Sequence, residues 1–343
     1  MGETMQGTTG TRYQVLALSG GGYLGLYTAT ILAELEETLG GDPLLSRFDM
    51  VAGTSIGGIL ALGVALGIPM RTIAGAFAKQ GEAIFSARPA PRSSIGILID
   101  LFRMMGKPKY NGVALRKTIE ELVGEHKLAD LRRPCLVPAV NMTKGGPQVF
   151  KTPHHPDFRR DWRLKVVDVG MATSAAPAFF PLASIGDELF ADGGLFANSP
   201  DLIAVHEAEH FMGVSRNDIH VLSVGTTTSK FSFSHAMGRS LGALAWAKRQ
   251  RLLQATIASQ QQVTDAMLRH RLGSRYLRLD TSQSPEQAQD LALDVAHEGA
   301  RRTIRGLAEN TVRESSNNPV LARMLEHRSR MPTFYYGAQA GQV

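Results

Sequence analysis

Residues 48–67 read FDMVAGTSIGGILALGVALG: a mixed apolar run, a serine between glycines, then a long apolar stretch. This order predicts a strand over 49–53, a sharp turn, and a helix from Ile56. Gly53 and Gly57 flank the turn and let the backbone bend without a Cβ clash, the arrangement that holds a serine hydroxyl at the tip of a strained corner. The pattern G-x-S-x-G is short enough to arise by chance. Ser55 is a nucleophile only if the rest of the chain supplies an oxyanion hole and a base; otherwise it is a small residue in a tight turn.

A second unit of the same kind lies upstream. Residues 13–19, YQVLALS, read as a short buried strand ended by Gly20, Gly21 and Gly22, and a helix follows from about Leu24 to Leu39. Two successive strand–glycine turn–helix units predict an α/β fold, a three-layer sandwich with a mostly parallel central sheet flanked by helices. Later strands are expected at 135–142, 148–152 and 219–226, with a helix over 166–176 ending at Pro177 and a short strand over 188–194 running into a turn. Beyond Thr228 the pattern becomes helical over 238–272, then a strand at 274–280 and a helix of about 291–312. No internal repeat or linker divides the chain. One domain over 12–330 is expected, with a catalytic core over 13–229, a helical, arginine-rich portion over 230–330, and flexible termini at 1–11 and 331–343.

With 343 residues, of which 43% are hydrophobic, the chain can bury a substantial core. Its single cysteine, Cys135, excludes an internal disulfide and sits in an apolar stretch, where a buried structural thiol is expected. The amino terminus, MGETMQGTTGTRYQ, has no apolar signal region, and Gln6 stands where a myristoylation motif wants Ser or Thr. No apolar run reaches the roughly 18 residues that span a bilayer. A soluble, cytoplasmic protein is expected. The net charge of +6 is uneven: residues 230–343 hold 16 basic and 9 acidic side chains, against 21 and 22 in residues 1–229. Arginine there suits phosphate, or simply a solvated helix face.

Gly20, Gly22 and Gly25 satisfy G-x-G-x-x-G after a strand, the dinucleotide fingerprint. That fingerprint also needs an acidic residue at the end of the second strand, and here the strand ends at Gly53-Thr54-Ser55. The loop's other use is to offer backbone N–H groups to a developing anion, helped by the positive end of the following helix. A base remains to be found, because a serine hydroxyl is a weak nucleophile until its proton is taken. Asp192, in ADGGLFANSP, follows a short strand and precedes Gly193 and Gly194; it is either that base or an ordinary Asp-Gly turn. His206 and His210, one turn apart in AVHEAEH, complete a Ser–Asp–His order, but they read first as surface histidines on a charged helix, and the order HEAEH fits a metal site only loosely. His154-His155 falls in a Pro-flanked loop expected to be exposed.

Taken together, GGGYLG (20–25), GTSIGG (53–58), ATSAAPAFFP (172–181) and DGGLFANSP (192–200) resemble, in order and spacing, the patatin-like phospholipases, over roughly residues 13–229 with a weaker echo at YLRLD (276–280). The resemblance implies a patatin-like fold and a serine–aspartate dyad without metal or cofactor. Ser55 would attack the ester carbonyl, Asp192 would act as base, and Gly20, Gly21 and Gly22 would form the oxyanion hole. The family loop reads G-G-G-x-R-G, and this chain has Leu24 at the arginine position, which puts the readiness of the loop at rest in question. Size and the arginine-rich C-terminal part also resemble the patatin-like effectors of bacterial antiphage signalling, implying activation by a cyclic dinucleotide.

Residues 93–110, SSIGILIDLFRMMGKPKY, combine an apolar patch with Lys107 and Lys109. Phe102, Met104 and Met105 are expected either to contact lipid at an anionic membrane surface or to belong to a buried element with a basic end. The expected partners are thus a phospholipid membrane surface, met peripherally from the cytoplasmic side, a cyclic dinucleotide and a second copy of the chain, but no nucleic acid. Two rival readings remain: a Ser–Asp–His esterase, and a nucleotide-binding signalling module with a weak active site.

Overall fold

A computed structural model describes residues 12–85, 106–227 and 251–341, with isolated positions between 232 and 246. Phe102, Met104 and Met105 lie outside the described residues. Eight strands among the described residues form one sheet: β1 (Tyr13–Leu18), β2 (Met50–Gly53), β3 (Cys135–Asn141), β4 (Gly146–Lys151), β5 (Ala183–Ile185), β6 (Glu188–Asp192), β7 (Ile219–Val224) and β8 (Tyr276–Leu279). Their order is β5-β6-β3-β2-β1-β7-β8, with β4 also on β3. Strands β3, β2, β1, β7 and β8 run parallel, while β4 and β6 are antiparallel to β3.

The helices are α1 (Gly25–Thr38), α2 (Ile56–Leu66), α3 (Met70–Ile84), α4 (Val113–Val123), α5 (Val166–Thr173), α6 (Gly194–Ala197), α7 (Asp201–His210), α8 (Arg251–Leu272), α9 (Gln287–Asp290), α10 (Glu298–Ser315) and α11 (Pro319–Glu326). Strand periodicity sorts them into two layers. Leu16, Leu18, Val51 and Leu222 face one core with side chains of α1 to α5 and α10. Their neighbours Val15, Ala17, Met50, Ala52 and Val221 face the other, under α7 and α8. Both faces are covered, so Val15–Leu18 of β1 read as a continuous apolar run rather than an alternating one.

Strand β3 holds the key to the site. β4 occupies one of its edges along Leu136–Asn141. The other edge is shared: β2 pairs with Cys135 and Leu136, and β6 pairs with Ala139–Asn141. Being parallel and antiparallel to β3, β2 and β6 point their C-terminal ends at each other. Gly53 ends one and Asp192 the other, with Pro138 opposite the gap. Thr173, at the end of α5, fills that gap: its hydroxyl donates to the Pro138 carbonyl at 2.6 Å and accepts the Ser55 N–H at 2.9 Å.

Three expectations change. Helix α5 stops at Thr173 rather than 176, and Ala175 instead offers its carbonyl to the Asp192 N–H at 3.0 Å. The helix expected from 291 begins at Glu298, where the His297 ring caps the Ala300 N–H; Leu291, Val295 and Ala296 before it are buried in an irregular strap. The tail is docked: Phe334 is buried and the Tyr335 N–H donates to the Pro153 carbonyl. In addition, β8 completes the central sheet and α10 packs on α1, so the C-terminal third is built into the core. Cys135 is buried as expected, its thiol pushed up to about 12 by desolvation.

Because Thr173 satisfies one buried and one partly buried backbone group, Thr173→Val is expected to cost about 1–3 kcal/mol of stability despite its matched shape, read from a urea denaturation midpoint.

Candidate active site

Ser55 stands at φ 56°, ψ −127°, in the left-handed half of backbone space that a side chain enters only under constraint. The constraint is close packing. A Cβ on Gly53 would overlap the Gly57 carbonyl, and one on Gly57 would overlap the Leu18 carbonyl, so β2, the turn and α2 come together only with glycine there. The Thr54 hydroxyl ties the turn to the Ala197 carbonyl at 2.6 Å. The result is a serine at the start of α2, with the positive end of that helix behind it.

Asp192 meets this serine directly. Ser55 Oγ donates to Asp192 Oδ2 at 2.7 Å, and the Gly194 N–H donates to Asp192 Oδ1 at 2.7 Å. Each carboxylate oxygen therefore has one fixed partner. Gly193 is the hinge that permits this: a Cβ there would strike the Pro138 carbonyl. Burial raises the Asp192 carboxyl to about 6, while the hydrogen bonds from Ser55 and Gly194 oppose the rise. A carboxylate tuned to that value is ionised at neutral pH and a better proton acceptor than an ordinary aspartate.

The glycine loop lies beside the serine, since a Cβ on Gly20 would stand 3.1 Å from Ser55 Cβ. The expected trio of donors needs one correction. The Gly20 N–H is committed to the Asn198 carbonyl at 2.9 Å and is not available to a substrate. Among the described residues the Gly21 and Gly22 N–H groups have no hydrogen-bond partner, and they are the ones left to receive an anion. Tyr23, next in the chain, donates its N–H to the Leu293 carbonyl at 2.7 Å, pinning the loop to the strap before α10. Tyr23, Phe85, Tyr110 and Phe180 pack edge-on or tilted, with neighbouring centroids 5.6–6.0 Å apart, beside the loop.

The histidines do not join the Ser55–Asp192 pair. Among the described residues no histidine hydrogen-bonds to Ser55 or Asp192. His206 and His210 are exposed on α7, their rings stacked 5.3 Å apart. Glu207 between them turns inward instead, bonding Lys151 Nζ at 2.6 Å and His154 Nε2 at 3.1 Å. His154, expected at the surface, is buried in this network, and desolvation lowers its pKa. The residues that sequence reading missed are Thr173, Asn198, Thr226 and Leu293. Thr173 and Asn198 sit inside motif blocks already singled out, whereas Thr226 and Leu293 act across the fold and carry no local pattern.

If Asp192 is the base, kcat/KM is expected to fall as pH drops through about 6, where its proton returns. Asp192→Asn is expected to abolish turnover while raising the melting temperature at pH 8, because the wild type holds a desolvated charge there. Between pH 6 and 3.8 the folded wild type takes up its proton before the unfolded chain does, so the gain is expected to disappear as pH falls across that window. Calorimetry at several pH values checks it.

Comparison with known proteins places this geometry in context. The family model described as patatin-like phospholipase matches residues 16–205. A cGAMP-activated phospholipase of Pseudomonas aeruginosa is 40% identical over 327 residues, 95% of each chain. Proteins of the same description from Vibrio cholerae and Escherichia coli are 38% and 37% identical, covering 82% and 85% of this chain and 85% and 86% of their own. A glycine loop, a serine elbow and a facing aspartate, all carried on a fold matched by that family over more than half its length, make this chain a member of the patatin-like phospholipase family.

Proposed function

We propose that the chain is a phospholipase in which Ser55 and Asp192 hydrolyse acyl esters of membrane phospholipids, and that a cyclic dinucleotide switches it on. The observation that carries the chemistry is the 2.7 Å hydrogen bond from Ser55 Oγ to a buried carboxylate whose other oxygen is already held. Asp192 Oδ2 takes the hydroxyl proton as Oγ attacks the ester carbonyl carbon. The tetrahedral oxyanion accepts hydrogen bonds from the Gly21 and Gly22 N–H groups. Collapse breaks the ester bond, and the departing alkoxide receives the proton from Asp192. Water then attacks the acyl-serine with Asp192 again as base, releasing fatty acid and restoring Ser55.

The activator is argued from kinship. Three relatives at 37–40% identity, each aligned over more than four fifths of its own length, bear the description cGAMP-activated. A more distant one at 29% is described as cUMP-AMP-activated. In this reading the enzyme degrades the cell's own membrane during antiphage signalling. Peripheral docking on the phospholipid surface is part of this reading, and no helix among the described residues is long and apolar enough to cross a membrane.

The test is fatty-acid release from phospholipid vesicles by the pure protein, with and without a panel of cyclic dinucleotides. Release that requires cGAMP and vanishes in Ser55→Ala is expected. Full release without nucleotide would overturn the activation, and failure of a fluorophosphonate probe to label Ser55 under every condition would overturn the hydrolase.

A further inference from the structure

The peptide joining Gly20 to Gly21 is held on one side and open on the other. Its carbonyl oxygen accepts two hydrogen bonds, from Thr226 Oγ1 and from Asn198 Nδ2, both at 3.1 Å. A trans peptide is planar, so fixing the carbonyl direction also fixes the N–H, which points the opposite way. That N–H is Gly21's, unpartnered among the described residues, and the residue at the other end of the same peptide, Gly20, is the one that packs against Ser55. With glycine at both ends the plane has little steric resistance to rotation. Turned over, it would present a carbonyl dipole of the wrong sign to an oxyanion.

Both holders are themselves braced by the C-terminal third. Thr226 packs so tightly on Gly21 that a Cβ there would overlap its side chain. The next residue, Thr227, stands at φ 58° with its N–H on Asp280 Oδ1 at 3.0 Å and its carbonyl on Gln283 Nε2 at 2.7 Å. Asp280 Oδ2 is held by Arg278 at 2.8 Å, and Arg278 also bonds Ser223. On the other side, the Asn198 N–H donates to Gln260 Oε1 at 3.1 Å, and Gln260 Nε2 donates to the Leu195 carbonyl at 2.9 Å.

We infer that Thr226 and Asn198 are positioning residues that aim the Gly21 N–H at the developing oxyanion, and that Asp280 and Gln260 hold them in place. The inference rests on the Ser55–Asp192 hydrolase reading. It accounts for loop order in a chain whose Leu24 side chain is buried against the core and has no hydrogen-bonding group to offer.

The experiment compares Thr226→Val, which keeps the shape and removes the donor, with Thr226→Ser, which keeps the hydroxyl. Fatty-acid release from phosphatidylethanolamine–phosphatidylglycerol vesicles with cGAMP is measured for both, beside Ser55→Ala and melting curves. Thr226→Val is expected to lose roughly ten- to a hundredfold in kcat with KM within about twofold, and Thr226→Ser to retain most of the rate. Should Thr226→Val not fold, Asn198→Ala removes the other donor from the same carbonyl and is judged by the same split. A wild-type kcat in the donor-less variant, equal losses in Val and Ser, or a loss confined to KM overturns the inference while Ser55→Ala remains dead. Wild-type turnover no greater than that of Ser55→Ala overturns the hydrolase reading and the positioning role with it.

Discussion

Strand β3 presents a single edge to two strands that approach from opposite directions, and the hydrogen-bonded serine and aspartate are what those strands carry at their tips. β2 brings Ser55 and β6 brings Asp192, with Pro138 between their pairing positions. Two strand ends facing each other leave backbone groups without ladder partners, and buried groups of that kind are costly. Thr173 relieves this by bonding the Pro138 carbonyl and the Ser55 amide with one hydroxyl. The defect in the sheet and the candidate active site are the same place. A continuous β2 would have closed the ladder and left the carboxylate nowhere to reach the serine.

Two unfavourable features are concentrated there. Ser55 occupies a backbone conformation that side chains avoid, and Asp192 is an ionisable group in a desolvated position. Each is tolerated because its surroundings over-determine it: close glycine contacts at the elbow, and one fixed donor on each carboxylate oxygen. Strain holds the hydroxyl at the tip of the turn, and desolvation raises the basicity of its partner. Both act on one proton, the one shared across 2.7 Å.

Much of this was legible in the sequence. The two strand–glycine–helix units at 13–39 and 49–66 have a local periodic signature, and the parallel neighbours β1 and β2 follow from it. Ser55 and Asp192 were marked by glycines, which a tight turn demands. What stayed hidden has in common that its cause is distant in sequence. His154 is buried because Glu207, 53 residues on, turns towards it. The 291–297 segment has helical composition, yet its Leu293 carbonyl is taken by Tyr23 and His297 caps the helix that follows. Gly20 looked like its neighbours, and only the fold shows its amide spent on Asn198. Part of the C-terminal arginine excess likewise proved internal, since Arg278 is placed against Ser223 and Asp280 rather than solvent.

The strap that meets Tyr23 has a consequence for the order in which the enzyme is made. Ribosomes deliver a chain from its amino end, so Ser55 and Asp192 emerge long before Gln260, Asp280 and Leu293. A chain halted at residue 250 would own both halves of the dyad and the glycine loop, but neither β8 nor the groups that brace that loop. The last third thus supplies, in chain order, the final supports of that loop. In a phospholipase, an unfinished chain of that length would carry the serine and the aspartate without the supports that order the glycine loop beside them.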